Sequence, residues 1–327
     1  MAWPHAASDW APYLDQAQAT FTEIIRHISR FETAVVVVPE HETATVSRIL
    51  READCNLEQI RLQPLPCNDT WARDFGPITV LDNGQPLLLD FGFNGWGLKF
   101  AADLDNQLTR RLQHLGAFAG ADLEICGLIL EGGSIESNGS GTLLTTAECL
   151  LNANRNPHLD RVEIEQQLKS LLGAEHILWL ENGYLAGDDT DSHIDTLARL
   201  APNDTIVYVS CDDPADEHFA VLQAMAEELR ALRTAAGREF RLIPLPWPSA
   251  HYDEGGQRLP ATYANFLVIN GAVLMPTYND SHDDQALQAV AEAFPGREII
   301  GIDCSALIQQ HGSLHCVTMQ LPKGVLA

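Results

Sequence analysis

Five times along this chain a segment of helical period is followed by a short extended run, a polar or glycine-rich loop, and a hairpin. The helical segments are ETATVSRILREA (42–53), ADLDNQLTRRLQHLG (102–116), LDRVEIEQQLKSLLG (159–173), DEHFAVLQAMAEELRALRTAAG (216–237) and SHDDQALQAVAEAF (281–294). The third and fifth open on Asp or Ser, as helix caps do. Three hairpins turn on Asn-Gly between apolar runs, in ITVLDNGQPLLLDF, SIESNGSGTLLTT and FLVINGAVLMPTY. A fourth, HIDTLARLAPNDTIVYVSC, turns on Pro-Asn-Asp.

Repeats of roughly 60 residues form closed or stacked arrays, because one unit cannot bury its own apolar face. The spacing therefore predicts an α/β propeller-like ring with pseudo-fivefold symmetry, one domain over residues 1–327. The fifth unit supplies LHCVTMQ with no second strand, while AVVVVP (34–39) stands alone before the first helix. Pairing these two would close the ring and remove its edges.

No linker or low-complexity tract divides the 327 residues, 46% of which are hydrophobic, and no apolar run reaches bilayer length. The N-terminal MAWPHAASDW lacks a basic start and apolar core, so a cytoplasmic protein is expected. A formal charge of −25 repels phosphate backbones and anionic lipid, which argues against nucleic acid and membrane as partners, and it attracts small cations. Seven scattered cysteines without a CxxC pair read as reduced thiols, not as disulfides or a structural zinc site.

In a ring, the loops leading into the hairpins converge near one axis and can build a single site. They read NDTWARDFGP, EGGSIESNG, NGYLAGDDTDSHID, SAHYDEGG and QHGSLHC. Taken alone, Cys316 reads as a core thiol and Asp74 as a turn cap. In an extended strand, alternation would aim His193 and Asp195 the same way, whereas His315 and Cys316 would point apart. His193 is therefore the better partner for a Cys316 nucleophile. The acidic run Asp188, Asp189 and Asp191 also reads as a solvated loop or as a calcium loop, although the glycine and closing Glu of an EF-hand are missing.

The blocks TWARDFGP, FNGWGLKF, LEGGSIESNGSGTLLTTAECLLNANRNP, GDDTDSHIDTLARL, YANFLVINGAVLMPTYN and GSLHCVTMQ resemble, in order, those of the agmatine deiminase and bacterial peptidylarginine deiminase family. The resemblance implies a five-bladed pentein propeller, no metal or organic cofactor, and a small cationic guanidine as substrate. It gives Cys316 the role of nucleophile and His193 that of general acid/base. Asp74 and Asp195 become the carboxylates that grip the guanidinium, Asp189 a further acidic contact, and Trp71 an aromatic pocket wall. Gly132, Gly133 and Gly312 would admit close backbone approach.

Agmatine is the first expectation for the substrate, and the FNGWGLKF block lies closer to the peptidylarginine branch. An arginine or peptidyl-arginine deiminase, an amidinotransferase, a non-catalytic guanidine-binding protein and a metal-dependent hydrolase are the alternatives. A homodimer is compatible with the sequence. This chain departs from the family at His311 and Ser192, where glycine is frequent, and at Glu136, where agmatine deiminases commonly carry histidine.

Overall fold

The computed structural model describes residues 1–326. The hairpin turns form as their residues dictate. Asn83 and Gly84 lie at φ 48° and 81°, and Asn203 and Asp204 at 61° and 53°, the left-handed pairs that match strand twist.

Five small sheets result. The first pairs β1 (Ala34–Val38) with β2 (Ile60–Pro64) in parallel. The second contains β3 (Ile78–Asp82), β4 (Gln85–Gly92) and β5 (Asp122–Ile129), and the third β6 (Ile135–Ser137), β7 (Thr142–Thr146) and β8 (His176–Leu180). The fourth contains β9 (Ala198–Ala201), β10 (Thr205–Val209) and β11 (Arg241–Leu245), and the fifth β12 (Leu267–Ile269), β13 (Ala272–Thr277) and β14 (Glu298–Asp303). Each three-stranded sheet joins an antiparallel hairpin to a parallel third strand that returns after a helix. The sheets are thus assembled out of phase with the sequence repeat: the strand after each helix pairs backwards, onto the preceding hairpin.

The crossover helices are Thr43–Glu52, Leu108–His114, Arg161–Leu172, Phe219–Ala231 and Asp283–Ala293. Asp160 and Glu163 form a reciprocal capping box at the third, which ends on Gly173 at φ 66°. At the fifth the expected Ser281 cap does not form; His282 is the N-cap, without a side-chain bond.

A sixth long helix, Leu14–Ile28, lies outside the repeat as read from the sequence. It buries Ala17, Phe21, Ile24, Ile25 and Ile28, a stripe of helical period. Thr20 Oγ1 donates to the Asp303 carbonyl at 3.2 Å, which fixes the helix against β14. Burying each of its large apolar side chains contributes about 1.5–3 kcal/mol.

The expected closing strand is absent. Residues 314–317 form a turn, and the partner on the free side of β1 is the segment Met1–Trp3, through the Ala2–Val37 bridge and the Trp3 N to Val37 O bond of 2.8 Å. A turn wins at Cys316 because its neighbours bond sideways: both the His315 and Cys316 amides donate to Asn265 Oδ1, at 2.9 and 3.3 Å. No helix among the described residues is long and apolar enough to cross a membrane.

Candidate active site

Just before each hairpin, or at the corresponding point of the C-terminal segment, the chain makes a short turn. The five turns meet. Asp74 lies in the turn Ala72–Phe75, Gly133 in Gly132–Ser134, and Asp195 in Ile194–Thr196 with His193 as its N-cap. Asn265 and Cys316 complete the set. The Gly133 amide donates to Asp74 Oδ1 at 2.9 Å, Asn265 Nδ2 to the Asp195 carbonyl at 3.3 Å, His315 N to the Asn265 carbonyl at 3.1 Å, and Arg73 N to the Cys316 carbonyl at 3.0 Å.

Between the second and third turns the contact is steric. A Cβ on Gly133 would sit 2.6 Å from His193 Nδ1, 2.8 Å from Asp74 Oδ1 and 3.2 Å from Asp195 Oδ2. Only glycine leaves room for all three groups.

Cys316, His193, Asp74 and Asp195, expected together from the sequence, are therefore brought together, all buried. His193 Nδ1 is 3.7 Å from Asp74 Oδ1, and Cys316 Sγ is 4.0 Å from Asp195 Oδ2 and 3.4 Å from Asn265 Oδ1. The strand argument for His193 and Asp195 fails in its geometry, since both lie in a tight turn, yet both side chains point into the cluster. Trp71 packs against Gly312, where a Cβ would meet its ring at 2.1 Å.

Asp189 lies on the rim of this cluster, where its carbonyl accepts Lys99 Nζ at 2.7 Å. One expectation is corrected. The loop SAHYDEGG does not converge on the axis, since Tyr252, Glu254, Gly255 and Gly256 are exposed and a Tyr252–Arg258 bridge folds it outward. The fourth unit contributes Thr262 and Asn265 instead.

The acidic run is also accounted for. Asp188 caps its own loop through the Thr190 and Ser192 amides, and Asp191 is held by Lys99 at 2.9 Å and Arg155 at 2.5 Å. Carboxylates satisfied by these partners have no need of calcium.

The departures from the family pattern have local causes. Glu136 forms a buried ion pair with Arg199 at 2.9 Å and accepts from Leu200 N, so it belongs to the core. Ser192 and His311 both occupy the left-handed region, each at φ 65°, which explains glycine elsewhere. His311 adds a 2.7 Å contact from Nδ1 to the Gly187 carbonyl, tying the Cys316 loop to the acidic loop.

Several site residues lacked a signal strong enough to single them out. Glu131 lies 3.9 Å from His193 Nε2 and is bonded by Arg155 Nε at 3.0 and 3.1 Å. Trp96 Nε1 donates to Asp74 Oδ2 at 3.0 Å. Glu131 stands immediately ahead of the glycine turn, and Asn265 occupies the same pre-hairpin position as Asp74 and Asp195; that equivalence was the available clue.

Burial lowers the His193 pKa, but Asp74, Cys149 and Glu131 outweigh it and hold the imidazole well above its ordinary value. Burial, reinforced by Asp74 and opposed by His193, raises Asp195 to about 7. Burial followed by the Asp195 and Asp74 charges pushes the Cys316 thiol well up. These shifts favour a protonated imidazole and a protonated thiol, with burial also raising the Asp74 carboxyl, so that a bound cation would favour the charged carboxylates. A groove of about 690 Å³ runs elsewhere, along Val35, Phe118 and Leu321, and includes none of these four residues.

A thiol, an imidazole and two carboxylates gathered at the hub of five turns are groups of the kind that can bind and attack a planar cation. The family of Porphyromonas-type peptidyl-arginine deiminases matches residues 1–322, and the chain belongs to it. A Vibrio parahaemolyticus protein provisionally named an agmatine deiminase is 35% identical, over 98% of this chain and 93% of its own. The structure of a provisionally named arginine deiminase from Porphyromonas gingivalis superposes with TM-score 0.93 at 51% identity, covering 100% of this chain and 95% of that one. A C. jejuni agmatine deiminase with a cysteine-to-serine substitution, solved with substrate bound, gives 0.91 at 40% identity, covering 99% and 92%. The fold is thus the α/β pentein arrangement of these relatives.

Proposed function

We propose that the chain is a guanidine deiminase acting on agmatine, converting it with water to N-carbamoylputrescine and ammonia. The observation that carries this reading is the hub itself, where Asp74 and Asp195 flank His193 and Cys316. Two carboxylates bind a guanidinium through paired charged hydrogen bonds and fix its central carbon for attack. The closed cluster, with Trp96 on Asp74 and Lys99 across the rim, favours a small guanidine over an arginine presented on a protein surface.

Burial and then the Asp195 and Asp74 charges hold the thiol protonated; the arriving guanidinium offsets the two charges, so Cys316 releases its proton to solvent as substrate binds. The thiolate adds to the guanidinium carbon. His193, already an imidazolium, donates its proton to the departing nitrogen, ammonia leaves, and an S-alkylthiouronium remains on Cys316. The neutral His193 then takes a proton from water as it attacks the same carbon, and the ureido product is released. Acid/base assistance of this kind contributes roughly 10²- to 10⁴-fold.

The test is incubation with agmatine, arginine and peptidyl-arginine, measuring ammonia and ureido product, with Cys316→Ala and EDTA-treated controls. Turnover of agmatine that is lost in Cys316→Ala and unaffected by EDTA is expected. Absence of ureido product from every guanidine refutes the activity, and turnover surviving in Cys316→Ala refutes the covalent route.

A further inference from the structure

Behind His193, on the side away from Asp74, lies a second thiol that the reaction does not use. Cys149, in the short helix Ala147–Leu150, is fully buried, as are Glu131 and His193. One ligand atom from each of Glu131, Cys149 and His193 falls within 4.8 Å of the others, the one such grouping among the described residues. Independently, neither ring nitrogen of His193 has a hydrogen-bond partner, although the ring is buried. An unpaired imidazole aimed at a thiol and a carboxylate is an open coordination set.

We propose that Glu131, Cys149 and His193 form an inhibitory site for a zinc-type divalent cation. A thiolate, an imidazole and a carboxylate are the donors such ions prefer, whereas calcium and magnesium seek oxygen alone. Zinc bonds of about 2.0–2.3 Å bring tetrahedral ligands to roughly 3.5 Å apart. His193 Nε2 and Glu131 Oε2, at 3.9 Å, are already close to that spacing, and modest side-chain movement supplies the rest. Arg155 does not preclude binding. It donates through Nε to both Glu131 oxygens, and an ionised carboxylate keeps further lone pairs free.

Charge also balances. Ionised Glu131 and the Cys149 thiolate together offset the two charges of the ion, the thiol proton and the Nε2 proton of His193 both being released on binding. With Nε2 committed to the metal, His193 cannot form the imidazolium; it keeps only the Nδ1 proton of a neutral ring, a far weaker acid toward the leaving nitrogen. The inhibitory half of the inference rests on the role given to His193 above; the binding half does not.

Cobalt(II) as a probe separates the two. Added to reduced, chelator-treated protein without substrate, one equivalent is expected to produce a thiolate-to-cobalt charge-transfer band with visible bands of low coordination, displaced by zinc. The band is expected to persist in Cys316→Ala and to vanish in Cys149→Ser. Absence of the band in the unmodified protein, or its loss in Cys316→Ala with retention in Cys149→Ser, overturns the site. X-ray absorption of zinc-loaded Cys316→Ala decides the matter should Cys149→Ser fail to fold: a sulfur ligand beside nitrogen and oxygen supports the site, and nitrogen and oxygen alone overturn it. Bound zinc is expected to reduce guanidine turnover at least tenfold, reversibly with EDTA; binding that leaves turnover unchanged overturns His193 as a ligand. A protein that shows the band but turns over no guanidine refutes the deiminase reading and leaves the metal site standing.

Discussion

His315 Nδ1 lies 2.7 Å from Asp195 Oδ2, and the opposite nitrogen of the same ring, Nε2, lies 3.1 Å from Arg199 Nη2. A guanidinium only donates, so Nε2 must accept, and the ring proton sits on Nδ1, where it donates to Asp195. Burial, with Arg199 and Arg73, holds His315 well below its ordinary pKa and keeps it neutral. The histidine beside the nucleophile thus supports a carboxylate. Removing a hydrogen bond to a charged group costs about 1.5–3 kcal/mol. His315→Leu is expected to lower kcat/KM by about one to two orders of magnitude, whereas loss of all activity in a folded variant contradicts a purely supporting role.

The same carboxylate sets the pH response. Asp195 is pushed up to about 7, chiefly by burial, and its charged form, present above that pH, is the one that binds a guanidinium. kcat/KM for agmatine is expected to fall as pH drops through about 7, while His193, held high, stays protonated there. In His315→Leu the carboxylate loses a donor to its charged form, so the acid limb moves to higher pH. A pH-rate profile of both proteins measures the displacement; an unmoved limb rules out Asp195 as its source.

Gly133 allows a sharper steric test. A methyl group there would lie under 3 Å from both His193 Nδ1 and Asp74 Oδ1. Gly133→Ala is expected to lower kcat/KM at least a hundredfold while circular dichroism and the thermal midpoint stay near those of the parent, because the clash falls on catalytic side chains. Full activity in this variant means the four groups are not as close as described.

The fold was legible because the repeat is written in local chemistry: Asn-Gly turns, helical stripes and a capping Asp all act within a few residues. The meeting of Asp74, His193, Asp195 and Cys316 was legible because their loops recur in that repeat, while the roles expected of them came from the family resemblance. The supporting groups were not legible. Glu131 pairs with Arg155 24 positions away, Arg199 meets His315 across 116, and Asn265 reaches Cys316 across 51. No local pattern announces such pairings. The same holds at the N-terminus, where Val37 pairs with Gln63 on one side and meets Ala2, not the Cys316 loop, on the other.

Ser192 and His311 share a backbone conformation but not a role. Each holds φ 65°, a strain of order 1 kcal/mol for a residue with a Cβ, and glycine would relieve it while adding freedom to the unfolded chain. No Ser192 hydroxyl bond opposes the change; its amide and carbonyl keep their partners Asp188 and Thr146 whatever the side chain. Ser192→Gly is therefore expected to keep or raise the thermal midpoint, by no more than a few degrees. His311 differs, because its ring contacts the Gly187 carbonyl at 2.7 Å and joins two loops that border the hub. His311→Gly gives up that contact, worth about 1 kcal/mol, and is expected to gain no stability and to raise KM for agmatine as the loops loosen. Calorimetry and steady-state kinetics on the two variants separate the cases; a His311→Gly protein that is more stable than the Ser192→Gly protein, with unchanged KM, shows that the imidazole latches nothing.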